Sequence, residues 1–131
     1  MMNANVESHR QIGAGEVLKR DHERLDQLFE QLIAALQADV AVEGRRLWTK
    51  FEAGLREHMN LEERAFFPRF SEVEPVEAQA LLDQHRAIRE QLVELGVGLD
   101  LHLTRADVVC SFIERLRAHA RREEALFYRC L

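Results

Sequence analysis

The sequence predicts an all-α protein, an up-down-up-down four-helix bundle. Apolar residues recur at helical spacing in four long stretches, and strand-like alternation is scarce. Short links join the stretches, which makes neighbouring helices antiparallel. At 131 residues, 47% hydrophobic and 31% charged, the chain has the size and balance of one soluble domain with a real core.

The first helix is expected from about Ala14 to Asp39, with Leu18, Leu25, Phe29, Leu32 and Leu36 on one face. The second runs from about Glu43 to Phe67, with Trp48, Phe51, Leu55, Met59 and Phe66 as its apolar contributors. Pro68 ends it, because proline disfavours helix in the residue before it. The third starts near Pro75, a good first-turn residue, carries Leu81, Ile88 and Leu92, and loosens at Gly96 and Gly98. Thr104 and Asp107 form a weak capping signal for the fourth, which runs to the end through Val109, Phe112, Leu116 and Phe127. The expected organisation is an N-terminal arm over residues 1–13 and a bundle over 14–131.

Several function classes are disfavoured. The net charge of −5 lacks the basic face of a nucleic-acid binder. Met1 to Gln11 is polar and unlike a signal peptide. No apolar run reaches the length of a bilayer span, so a cytoplasmic protein away from the membrane is expected. Cys110 and Cys130 have no metal-type spacing and are expected to be free thiols.

The informative feature is four histidines, one per helix, each on an apolar stripe. His22 lies four after Leu18 and three before Leu25; His85 lies four after Leu81 and three before Ile88. His58 follows Phe51 by seven and Leu55 by three, as His119 follows Phe112 by seven and Leu116 by three. His58 and His119 also open the same phrase, H-x3-E-E-x2-F-[FY]. The chain therefore reads as two related helical hairpins. Counted from one end of an antiparallel bundle, the histidines lie about 8 to 11 residues in, which at 1.5 Å per residue is roughly one layer 12–17 Å deep.

Residues at i and i+4 share a helix face, so His58 with Glu62 and His119 with Glu123 each present an imidazole and a carboxylate inward. Such groups are costly to bury unless something neutralises them. A pair of metal ions does so. Four imidazoles and two carboxylates suit iron better than calcium or magnesium, which prefer oxygen shells. Two bridging glutamates and two histidines per metal supply four protein ligands to each ion. Water, hydroxide or an oxo group can fill a shared fifth position, and at least one position stays open for dioxygen, nitric oxide or peroxide.

The pattern His22…His58-x3-Glu62…His85…His119-x3-Glu123 resembles the hemerythrin-like family, the HHE cation-binding domain, over about residues 14–130. The run Glu62-Glu63…Phe67-Pro68 adds to the likeness. The resemblance implies a bundle holding two non-haem iron ions, oxo- or hydroxo-bridged, with His22, His58, His85 and His119 as terminal ligands and Glu62 and Glu123 as bridges. Zinc or manganese are the other metals to consider. Oxygen carriers of this family have a fifth histidine four residues after that on the third helix, where this chain has Arg89. The pattern thus resembles the non-carrier members, to which oxygen or redox sensing, iron homeostasis and nitric oxide or peroxide handling are ascribed.

Neighbouring residues have simpler expectations. His9 and His102 lie off the stripes and are expected in solvent. Asp26 is expected as a surface charge, with a place behind an imidazole or as a substitute ligand as the alternatives. Glu63 and Glu124, one position off the bridges, are expected on helix surfaces, with promotion to ligand by a one-register helix rotation as the alternative. Arg89 is expected to reach solvent, or else to hold an anion beside the site. Tyr128 is expected as a partly buried aromatic at the bundle end, with a hydrogen bond to a metal-bound species as the alternative.

The leading functional reading is a di-iron protein that senses or processes dioxygen, nitric oxide or peroxide. Its partners are that small ligand and, for signalling, another protein. A peroxidase-like or nitric-oxide-reducing enzyme is the second reading, and no separate acid, base or substrate pocket is legible for it. A metal-free or zinc-bound helical interaction module is the third.

Overall fold

A computed structural model describes residues 13–130, the side chains of residues 13, 14 and 127–130 excepted. The arm residues before Gly13, His9 among them, and the side chains of Phe127, Tyr128 and Cys130 lie outside what is described. Four long helices are present: α1 (Gly13–Gln37), α2 (Ala41–Ala65), α4 (Pro75–Asp100) and α5 (Ala106–Cys130), with a short α3 (Phe67–Val73) between α2 and α4. No strand occurs among the described residues. α1 packs against α2 and α5, and α4 packs against the same two, which closes the four into a ring. Among the described residues no helix is long and apolar enough to cross a membrane.

The first two links resolve differently from one another. α1 ends in a Schellman turn: the Val40 N–H reaches the Ala35 carbonyl at 3.0 Å and the Asp39 N–H that of Leu36 at 3.2 Å. This turn places Asp39 in the left-handed region, φ 57°. Pro68, in contrast, does not end the second helix in a loop. The helix stops at Ala65, and Pro68 sits in the first turn of α3, where its missing N–H costs nothing. The expectation of four helices therefore becomes five among the described residues. α3 buries Phe67 and Phe70 and closes one end of the bundle.

Gly96 and Gly98 do not loosen the third long helix, which continues to Asp100. They mark close approach instead. A Cβ on Gly96 would stand 3.2 Å from Trp48 Nε1, and one on Gly98 1.9 Å from Thr104 Oγ1. Thr104 thus packs back on the preceding helix, and Asp107 Oδ1 accepts the Val108 N–H at 3.1 Å. The α4–α5 link repeats the α1–α2 turn. Leu103 N–H bonds the Gly98 carbonyl, His102 N–H that of Leu99, and His102 has φ 57°. His102 is exposed.

The apolar interior is in two parts. The larger runs from Leu25, Phe29 and Leu32 through Trp48, Phe51 and Met59 to Ile88, Leu92, Phe112 and Leu116. The smaller, at the α3 end, joins Leu18, Phe67, Phe70, Ala78 and Leu81, with Phe66, Leu82 and Leu126 packed on it. Between them lies a polar layer. The same four long helices cross it, because His22 falls between Leu18 and Leu25, His85 between Leu81 and Ile88, Glu62 between Met59 and Phe66, and Glu123 between Leu116 and Leu126.

Candidate metal centre

The polar layer brings together the six residues singled out from the sequence. His58, His85, Glu62 and Glu123 are buried, and the side chains of His22 and His119 are each only 10% exposed. His22 and His58 face each other Nε2 to Nε2 at 3.0 Å. Glu62 Oε1 stands 3.3 Å from Nε2 of both His58 and His85. Glu123 spans the layer: Oε1 is 3.4 Å from His22 Nε2, and Oε2 is 3.1 Å from Nε2 of both His85 and His119. Phe67 stacks on the His85 ring, centroids 5.1 Å apart, and seals its outer face.

Each imidazole is held from behind through Nδ1. His22 Nδ1–H donates to Glu124 Oε1 at 3.0 Å, His85 Nδ1–H to Glu63 Oε2 at 2.9 Å, and His119 Nδ1–H to Gln84 Oε1 at 2.5 Å. His58 Nδ1–H donates to Asp21 Oδ2. An acceptor at Nδ1 assigns the proton there and leaves the neutral ring's lone pair on Nε2, aimed at the centre. Glu63 and Glu124 are therefore not the helix-surface residues expected. They are half-buried, with oxygens committed to Nδ1 atoms. Asp21 and Gln84 were not anticipated at all. Their signal in the sequence is a repeat: each immediately precedes a stripe histidine, as Glu63 and Glu124 immediately follow Glu62 and Glu123.

Arg89 neither reaches free into solvent nor points at the centre. Its Nη2 donates to Glu63 Oε2 at 2.6 Å and to Asn60 Oδ1 at 3.0 Å, so it braces the carboxylate that holds His85. Asp26 takes the Arg117 Nε–H at 2.6 Å and stands behind no imidazole. Cys110 is a free thiol.

Without a cation the layer is poised to carry protons. Burial pulls the His58 pKa down, but the Asp21 hydrogen bond and the Glu62 carboxylate outweigh it and raise it to about 10. Burial likewise opposes Glu123 and Glu62 at His85, which also rises to about 10. His22 shifts upward against its burial, through Glu123 and Glu124. Burial would raise the Glu123 carboxyl, yet His119, His22 and His85 hold it well below the usual carboxylate range. The His58 bond lowers Asp21 to about 2, against the opposing effect of burial and with help from Arg24.

Protons satisfy the layer only in part. Neither Glu62 oxygen, both fully buried, makes a well-formed hydrogen bond, although Oε1 lies 3.3 Å from two imidazole nitrogens, and neither does His119 Nε2, 3.1 Å from Glu123 Oε2. Unpaired buried polar atoms are costly, and a buried carboxylate most of all. A cation removes that cost. His22, His58, Glu62 and Glu123 each offer a ligand atom within 4.8 Å of the others, and so do His85, His119 and Glu123. Glu123 belongs to both groups. Nitrogen and carboxylate donors in this mixture suit a transition metal, so the residues present fit a metal cation.

One side of the layer opens on a cavity of about 50 Å³. Leu25, Phe29, Leu55, Met59, Ile88 and Leu116 form its apolar wall, and His22, His58, His119 and the two glutamates its polar end.

Neither the curated proteins nor the solved structures compared with this chain give a match. The family profile of the hemerythrin HHE cation-binding domain, however, matches residues 13–131. That span takes in all four long helices and every residue of the histidine–glutamate layer. By that match the chain belongs to the hemerythrin HHE cation-binding family.

Proposed function

We propose that the layer holds two iron ions and that the protein senses or reacts with dioxygen, nitric oxide or peroxide. In this reading His22 and His58 ligate one ion and His85 and His119 the other, while Glu62 and Glu123 bridge. The observation that carries it is the fully buried Glu62 carboxylate, whose Oε1 stands 3.3 Å from an imidazole of each half. A bridging carboxylate needs that placement. A structural ion pair does not, and leaving a charge so exposed to low dielectric is destabilising.

When bound, iron supplies reversible one-electron chemistry and an open coordination position. The chain supplies everything else. Four Nδ1 acceptors fix the ring tautomers, and the two carboxylates offset the charge of the ions. The cavity favours a ligand of a few atoms: about 50 Å³ exceeds what one water needs, and its wall is apolar. No acid or base outside the ligand set and its hydrogen-bond partners lines the cavity apart from Asp26 and Arg117, which are paired to each other. This favours binding and signalling over repeated turnover.

Titration of the anaerobic, iron-loaded protein with nitric oxide, and separately with peroxide, tests the reading. The expected result is a saturable spectral change complete at one or two equivalents. Consumption of many equivalents without saturation replaces the sensor with an enzyme. The absence of any response removes both.

A further inference from the structure

The two halves of the layer are related by a pseudo-twofold axis, and the hydrogen bonds behind the ligands obey it. Asp21 precedes His22 and holds His58; Gln84 precedes His85 and holds His119. Glu124 follows Glu123 and holds His22; Glu63 follows Glu62 and holds His85. The geometry is repeated, but the charges are not. A carboxylate, Asp21, stands where the other half has the neutral amide of Gln84. Arg89 neutralises Glu63 at 2.6 Å, whereas among the described residues Glu124 pairs with no arginine.

Arg24 binds Asp21 at 2.6 Å, but its side chain is 56% exposed and its charge correspondingly screened. Even counted in full, it leaves one net negative charge behind His22 and His58 and none behind His85 and His119. A carboxylate that accepts an Nδ1–H makes the imidazole a stronger donor than a neutral acceptor does. The ligand atoms differ in the same sense: four are gathered around His22 and His58, three around His85 and His119.

We infer that the two metal positions are inequivalent, with the His22/His58 position filling first and binding more tightly because Asp21 and Glu124 stand behind it. Asp21 and Gln84 are the positioning residues that set the difference. This rests on the two-metal reading above, in which both positions have the same kinds of ligand, and the charges behind those ligands set them apart.

The test is a titration of the metal-free, full-length protein with zinc(II). The histidine ring nitrogens are followed by NMR, and the two affinities are measured by competition with a chromophoric chelator. The first equivalent is expected to shift Nε2 of His22 and His58, the second that of His85 and His119. Asp21→Asn keeps an acceptor but removes the charge, and it should weaken the first step by about 10-fold or more with little effect on the second. Gln84→Glu should strengthen the second step by a similar factor, a gain that a merely structural role for Gln84 does not produce. Circular dichroism on each variant confirms that the helices persist. Simultaneous loading of both positions, the reverse order, or variants that move both steps equally overturn the inference and leave the two-metal reading intact. If the wild-type protein binds no zinc, both fall.

Discussion

Glu62 has no exposed surface and two imidazoles for its nearest polar neighbours, so positive charge on or between those rings stabilises the fold. Protons supply that charge when metal is withheld, and this fixes a pH dependence. His58 and His85 rise from 6.5 to about 10 on folding. Their contribution to stability is complete below pH 6.5 and is lost as pH climbs towards 10. Asp21 falls from 3.8 to about 2, so its contribution is complete above pH 3.8 and is lost towards 2. The metal-free protein should therefore be most stable between these limits and melt at progressively lower temperature from pH 7 to pH 10. Metal needs neutral imidazoles, so the extra stability conferred by metal should grow over the same range. Melting curves of both forms across pH check this, and a metal-free protein that gains stability from pH 7 to 10 contradicts it. The six central residues were legible in the sequence because helical spacing alone puts them on buried stripes. The residues behind them were not. Glu63, Glu124, Asp21 and Gln84 sit one position off the stripe, and whether such a residue meets water or a neighbour's imidazole depends on how the helices cross.

At the scale of elements, the long helices followed from apolar periodicity, and the errors fell where backbone chemistry has two solutions. Proline ends one helix and starts another equally well. At Pro68 the apolar residues Phe67 and Phe70 decide for a new helix, since only a helical turn buries both. Glycine in a helix pattern can mark fraying or close approach. At Gly96 and Gly98 the nearness of Trp48 and Thr104 decides for the latter. The two Schellman turns carry a prediction. Asp39 and His102 occupy left-handed positions at φ 57° that glycine adopts without strain. Asp39→Gly and His102→Gly should each raise stability by about 1 kcal/mol in urea unfolding, with metal content unchanged. A loss of stability at either position would show that the side chain makes an interaction worth more than the strain.

At the scale of the molecule, a polar layer divides two apolar cores and interrupts what would otherwise be a continuous interior. A bundle built only for stability has no use for that arrangement, because apolar residues of similar size in place of buried charges are often neutral or stabilising. The fold instead positions six donors from four helices, with α3 closing the far end and a small apolar cavity on one side. Membership of a cation-binding family accords with this division of the interior. The identity and number of the ions are the central claim, and one measurement addresses both: metal content per chain, with the visible spectrum in air, of protein produced in iron-rich medium. About two irons per chain are expected, with the near-ultraviolet and visible absorption of a bridged diferric pair. A colourless protein with no metal, or with a single zinc, contradicts that claim.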